Sequence, residues 1–467
     1  MKNNFMRIKD MNCKQIIIML PAALLFGSCV IYTNYQRSES LPVDSLYRDA
    51  QVEKQDTTSF ADISWRELFT DQYLVKWIEM GLEKNSDLQT ARLLTQEAQA
   101  SLRASKLAFL PSVSLTPEGS LKSFDGAKPS KSYSLGGTVK WEIDAFGALR
   151  NAKKGSQAAL EASRAYEQAV QTQLVATIAE TYYSLLALDR KLAITRETAS
   201  KWEENVRTMM VLKRAGEKDN SAVAQAEANR LNAESTVVSL EKQVHNLENS
   251  FSTLVGIVPS EIKRGQLLEL SFSEKLSVGV PVMLLSRRPD VRQAEWKLAV
   301  AFYATNKARS AFYPQLTLSG SAGWTNNSGA GIVNPGKWLL SAVGSLVQPI
   351  FDRGSNVANL KIAKVQQEEA LVAFKQKLLD AGAEVNNALT QWQAARKSLN
   401  LDQQKVKALE TAVRSTQLLM KHGNTNYLEV LTAQQTLLEA QLAEVADKYE
   451  EIEGVINLYQ SLGGGIK

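Results

Sequence analysis

Hydrophobic positions recur along this chain with two different periods, and each change of period marks an element. From about 72 to 109, Leu74, Ile78, Leu82, Leu88, Ala91, Leu94, Ala98 and Leu102 recur every three or four residues apart from one interruption. That is the spacing of a helix with one apolar face. Asp71 stands where an N-cap belongs. Asn85 and Asp87 interrupt the pattern, so a break is expected there, with Asp87 capping the restart. Pro111 ends the helix. The period then drops to two: Val113, Leu115, Tyr133, Leu135, Val139 and Trp141 alternate with Ser, Thr, Gly and Lys, and 123–130 reads as a turn. This predicts a β-hairpin over 112–146.

A very long helix is predicted next, over 151–214, with no proline and one glycine, Gly155. Its alanines (Ala158, Ala162, Ala165, Ala169, Ala176, Ala179) keep it thin enough for close packing. Gly216 marks a reversal, and a returning helix is predicted over 218–255. The whole layout then repeats, with a hairpin over 315–353, a long helix over 355–422 and a returning helix over 425–462. Each long helix is roughly 100 Å and each returning helix roughly 57 Å at 1.5 Å per residue. A returning helix therefore covers only part of its long partner, and the helix before the hairpin must stack on it end to end.

The repetition is visible residue by residue. Asp87/Asp290, Ala91/Ala294 and Pro111/Pro314 are each 203 residues apart. Gly147/Gly354, Gly216/Gly423, Ala226/Ala433 and Gly256/Gly463 are each 207 apart. One insertion between the proline and the first glycine explains both offsets. The chain is a structural unit built twice, divided into 59–258 and 283–465 with a linking segment at 259–282.

Composition narrows the function classes. Net charge is +5 on 54 basic and 49 acidic residues, without a basic cluster in the body, so nucleic acid is not an expected partner. The two cysteines, Cys13 and Cys29, lie in the first thirty residues, and the two histidines are His245 and His422. A His/Cys metal site or a Cys–His dyad is thereby disfavoured. No nucleophile–base signature is present, and the expectation is a protein that is not an enzyme, without cofactor or metal.

The start of the chain reads as an address. Arg7, Lys9 and Lys14 precede the apolar run 16–26, which is too short to cross a bilayer. Gly27-Ser28-Cys29 follows and resembles the lipobox of bacterial lipoproteins. That resemblance implies a signal peptide over 1–28, a covalent lipid on Cys29, and a tether over 29–58.

Each predicted hairpin arm is about ten residues, the length of a tilted transmembrane strand. Aromatics flank both hairpins: Trp141, Phe146, Phe312, Tyr313 and Phe351 near the helical ends, Trp324 and Trp338 near the tips. A soluble hairpin cap with core aromatics would also carry them. If the strands do cross lipid, four cannot close a barrel, and an open edge in hydrocarbon leaves backbone groups without partners. At least eight strands are then needed, hence two or more copies; three copies give twelve.

The duplication, Arg287-Arg288-Pro289-Asp290, Trp141-Glu142-Ile143-Asp144-Ala145-Phe146-Gly147 and Pro349-Ile350-Phe351-Asp352 together resemble the TolC-like outer-membrane efflux proteins, and the lipobox places the chain nearer their NodT-type lipoprotein branch. The resemblance covers about 60–465. It implies a mainly α chain with a membrane β-barrel: a homotrimer, four strands per chain in a twelve-stranded barrel, continuing into a long α-helical periplasmic tunnel. It further implies a lipid-anchored protein of the bacterial outer membrane, reaching into the periplasm. Its implied partners are outer-membrane lipids, a periplasmic membrane-fusion adaptor and an inner-membrane transporter of the RND class. The implied function is a passive exit duct for small molecules such as drugs and toxic compounds. Heavy-metal export and type I protein secretion are alternatives, and a coiled-coil lipoprotein scaffold without a pore is a more distant one.

By the same resemblance the helix reversals contact the adaptor, through Arg214, Gly216, Lys421, Gly423 and Asn424. Glu429, six residues past Gly423, and Tyr427 are assigned to a periplasmic gate. The matching position in the first copy is Ala222, where relatives often carry Asp.

Overall fold

A computed structural model describes residues 32–37, 46, 60–267, 287–325, 338–422 and 427–465. After a short 3-10 turn at Phe60–Asp62 come α1 (Trp65–Leu68), α2 (Gln72–Lys84), α3 (Ser86–Leu107), β1 (Ser112–Lys122), β2 (Ser130–Ile143), α4 (Ala148–Arg214) and α5 (Asn220–Leu254). The second series is α6 (Pro289–Ser310), β3 (Gln315–Thr325), β4 (Trp338–Val347), α7 (Ser355–Lys421) and α8 (Tyr427–Ser461). The duplication holds at the level of length. α4 and α7 have 67 residues each, α5 and α8 have 35, and α3 and α6 have 22.

The chain forms two compact units that cut across the two copies rather than following them. One takes residues 1–39, 97–161 and 296–372; the other takes 40–96, 162–295 and 373–467. Each unit therefore needs both copies to build its core.

The first unit holds one antiparallel sheet in the order β1-β2-β3-β4. The central pairing joins the copies, with Trp141 opposite Leu318 and Leu135 opposite Trp324. Across β1 and β2 a ladder of hydroxyls runs along one face, with Ser114 to Thr138 at 2.6 Å and Ser120 to Ser132 at 2.7 Å. α4 begins at Ala148, three residues before the sequence pattern places it. The cause is local. Gly147 adopts a left-handed φ of 78°, and the Asp144 carboxylate accepts from Leu149 N (3.0 Å) and Arg150 N (2.9 Å). Those two amides are orphan donors of the first helical turn.

The second unit buries the large side chains Trp65, Phe69, Tyr182, Tyr183, Trp202, Phe251 and Phe374. Ala165 and Ala179 of α4 are fully buried, so small side chains there do permit close helix approach. Asp71 caps α2, accepting from Tyr73 N at 2.7 Å and Leu74 N at 3.4 Å. Its other oxygen accepts from the Tyr182 hydroxyl at 2.6 Å. The break before α3 lies where expected, but Asp87 is not its cap. Asn85 is, its Oδ1 accepting from Leu88 N at 2.9 Å. α3 starts at Ser86, which puts Asp87 inside the first turn, where its charge favours the helix dipole instead. The single glycine of α7, Gly382, faces Leu46, where a Cβ would lie 3.0 Å from the leucine Cδ2. Asn386 Nδ2 donates to the Leu46 carbonyl at 2.8 Å.

Candidate functional site

The strand register sorts every side chain of the sheet to one of two faces. Val113, Leu115, Pro117 and Leu121 of β1 pair with Val139, Gly137, Leu135 and Lys131 of β2. Val139 and Trp141 pair with Gly320 and Leu318 of β3, and Leu318, Ala322 and Trp324 with Gly344, Leu340 and Trp338 of β4. Apart from Lys131 at one end, these rows put Val, Leu, Ala, Trp and Gly together on one face. The opposite face carries Ser114, Ser120, Thr138, Lys140, Glu142, Thr317, Ser319 and Ser321. The apolar face is open in the chain: Leu115 is 68% exposed and Leu340 is 74% exposed. Water would oppose such a face, whereas lipid accepts it.

Aromatics bracket that band. Trp141 is partly exposed and its Nε1 donates to the Phe109 carbonyl at 2.9 Å. Phe146 stacks on Tyr313 with centroids 5.3 Å apart, and the neighbouring Phe312 is 40% exposed. Phe351 is 85% exposed. At the far end of the strands the Trp324 and Trp338 backbones pair. The described aromatic side chains thus lie at the ends of the apolar rows; the side chain of Trp338 lies outside the described residues.

The first reversal is built as a helix stop. Arg214 is the exposed last residue of α4, and Gly216 takes φ 79° with Glu217 N donating to Leu212 O at 3.0 Å. Asp219 then caps α5 through Ala222 N at 3.0 Å. Beneath the turn, Trp202, Val206 and Met209 of α4 pack with Ala226 and Ala233 of α5 and Leu431 of α8. Glu429 stands exposed in the first turn of α8, and Ala222 is half-buried against the core beneath the first reversal. Lys421 ends α7 and Tyr427 begins α8. Their side chains, together with Gly423, Asn424 and Cys29, lie outside the described residues.

Two groups of side chains bring together residues that no local pattern connects. Arg288 is buried among Asp290, Lys377 and Glu384. Glu180 of α4 is within electrostatic reach of Glu453 of α8, whose carboxylate accepts from Gln391 Nε2 at 2.8 Å and from the Tyr449 hydroxyl at 3.3 Å. Burial, and then the Glu453 charge, push the Glu180 carboxyl up to about 7 from 4.5. The folded chain thus holds this proton more tightly than the unfolded one. Stability is expected to fall as pH rises from about 4.5 to about 7, and the full cost persists above that range. Glu180→Gln should therefore stabilise by about 1–2 kcal/mol at pH 8, discounted for the solvated part of the group. At pH 4 it should change nothing. Urea unfolding at both pH values checks this, and an equal effect at both would remove the carboxyl pair as its cause.

A family model described as outer membrane efflux protein matches residues 77–257 and 280–464. The chain belongs to the outer membrane efflux protein family. One matched segment falls in each copy of the duplication. This efflux protein is 28% identical over 417 residues to the probable outer membrane lipoprotein SilC of Salmonella typhimurium, covering 87% of this chain and 89% of SilC. It is 27% identical over 453 residues to the cation efflux system protein CusC of Escherichia coli strain K12, covering 95% of this chain and 98% of CusC. Among solved structures it is similar to the outer-membrane channel OprN, with TM-score 0.84, 25% identity, and coverage of 94% of this chain and all of that one.

Proposed function

We propose that the chain is one third of a passive exit duct in a tripartite efflux system. The observation that carries this reading is the four-stranded sheet with an exposed apolar face and two outer strands, β1 and β4. They run in opposite directions, so β1 of one copy can pair antiparallel with β4 of the next. Three copies then close a twelve-stranded barrel and leave no edge in lipid. A second feature favours several copies. Val365, Val372 and Leu379 of α7 are exposed at seven-residue spacing, a seam suited to a neighbouring helix.

The polar strand face lines the lumen in this arrangement, and solute passes without a chemical step. Cys29 carries the lipid anchor. The reversals at Arg214–Gly216 and Lys421–Asn424 meet a periplasmic adaptor, and an inner-membrane RND-type transporter supplies solute and energy. The cargo is small toxic molecules. Cations form a second reading, favoured by the likeness to CusC, whose name specifies a cation system.

Glu429 and Tyr427 form the gate in this reading, since three Glu429 carboxylates near one axis attract cations and repel one another. Purified protein is expected to run as a trimer in detergent and to conduct in a planar bilayer. Glu429→Ala should raise conductance and weaken its block by divalent cations. A single subunit without a pore would overturn the duct; unchanged conductance and unchanged block would remove Glu429 from the gate.

A further inference from the structure

The two copies share one backbone junction and fill it with different chemistry. In the first copy α5 ends against the break between α2 and α3. A Cβ on Gly256 would lie 2.7 Å from the Lys84 carbonyl oxygen, and Asn85 Nδ2 donates to the Leu254 carbonyl at 2.9 Å. In the second copy a Cβ on Gly463 would lie 2.9 Å from the Arg287 carbonyl oxygen, and Arg288 Nη1 donates to the Ser461 carbonyl at 3.0 Å. Arg288 stands 203 residues after Asn85, and Ser461 stands 207 after Leu254. These are the two offsets of the duplication, so the side chains are counterparts, and each accepting carbonyl belongs to the last residue of a returning helix.

Their reach differs. Asn85 divides its amide between the Leu254 carbonyl and the cap of α3. The Arg288 side chain is 6% exposed. It also donates to Asp290 through Nε at 3.0 Å and Nη2 at 2.6 Å, and to Glu384 Oε2 at 2.5 Å. Lys377 Nζ reaches Asp290 at 2.8 Å. Burial alone would raise the Asp290 carboxyl, but the hydrogen bonds and charges of Arg288 and Lys377 hold it below the usual carboxylate range. Lys377 and Glu384 both belong to α7. Their counterparts on α4 are Val170 and Thr177, which offer no charge. At the first junction, among the described residues, the neutral Asn85 amide ties α5 to α3, and the charged link between α5 and its long helix lies further back, where Arg264 bonds Glu248 of α5 and Asp189 of α4. The second joins the ends of α6 and α8 to the long helix with charge-assisted bonds, each about twice as strong as a neutral one.

We propose that Arg288 is a positioning residue that pins the stacked helices α6 and α8 to α7, and that the helix end at Asn85 is held less firmly than the one at Arg288. This goes beyond the duct reading and does not depend on it, because the pin is a property of the folded chain whether or not a pore forms.

Hydrogen exchange on the full protein in detergent tests it. In the natural protein the last turn of α8 (458–461) is expected to exchange about tenfold more slowly, or slower still, than the last turn of α5 (251–254). Equal protection of the two turns overturns the proposal without any variant. The triple variant Arg288→Asn, Lys377→Val, Glu384→Thr gives the second junction the side chains of the first. It should bring the protection of α8 down to that of α5, and unchanged protection there would also overturn the proposal. Arg288→Lys keeps the charge without the planar fork. It should restore part of the protection lost in the triple variant. If the triple variant does not accumulate, Arg288→Lys decides by itself: partial loss confined to the ends of α6 and α8 supports the pin, and no loss refutes it.

Discussion

Leu115→Arg is expected to abolish most accumulation of folded protein in the outer membrane, while Ser114→Arg, one residue away, is tolerated. Leu115 lies mid-strand in β1 and projects from the apolar face, opposite Gly137. An arginine near the bilayer midplane costs about 2–4 kcal/mol in a barrel, and a symmetric assembly takes that cost once per subunit. Ser114 projects from the other face, where its hydroxyl meets Thr138 at 2.6 Å. Its replacement loses about one hydrogen bond, roughly 1 kcal/mol, and places the new charge where water can reach it. The yield of heat-resistant oligomer and urea unfolding in lipid both read the difference. Equal damage from the two changes would show that the faces are assigned wrongly.

The second large effect is expected at the helix junctions. Gly256→Ala should destabilise by about 3 kcal/mol or more. Its left-handed φ of 75° accounts for about 1–2 kcal/mol with any side chain. The rest comes from a methyl group set 2.7 Å from the Lys84 carbonyl oxygen, a backbone atom that cannot step aside. Gly216→Ala is the internal comparison. It has a similar φ of 79°, but nothing lies within 4 Å of the added carbon. It should lose only the conformational part, about 1–2 kcal/mol. Thermal unfolding of the two variants measures the gap between them. If they fall equally, the close approach of helix end and helix break contributes nothing to stability.

The same glycines show how much of the molecule was legible beforehand. Their spacing pointed to two equal sets of elements, and the structure supplies the reason. Gly147, Gly216, Gly256, Gly354 and Gly463 all sit at positive φ, a backbone state that other residues resist. Such positions are visible because the requirement is local. The apolar strand face was visible for a related reason, since alternation depends only on neighbours two residues apart. Helix starts were less visible. Asp144, not the apolar pattern, sets the beginning of α4, and Asn85 displaced Asp87 as the cap of α3, because one side-chain oxygen decides each case.

The candidate site divides along the same line. The reversal at Gly216 and the aromatics at the strand ends follow from residue type and spacing. The Arg288 network and the Glu180–Glu453 pair do not, since each joins residues far apart in the chain. Arg288 stood in a recognisable motif, yet its counterpart Asn85 is a different residue, and only the shared carbonyl contact reveals the equivalence.

By itself the sequence determined the periods, the breaks and the doubling, which are local properties of backbone and side chain. Only the tertiary structure decided that β2 pairs with β3 across the two copies, that the compact units cut across the duplication, and that a buried arginine at one helix junction takes the place of an asparagine amide at the other. Those outcomes rest on which distant groups meet in a low-dielectric interior, and no short-range pattern records such a meeting.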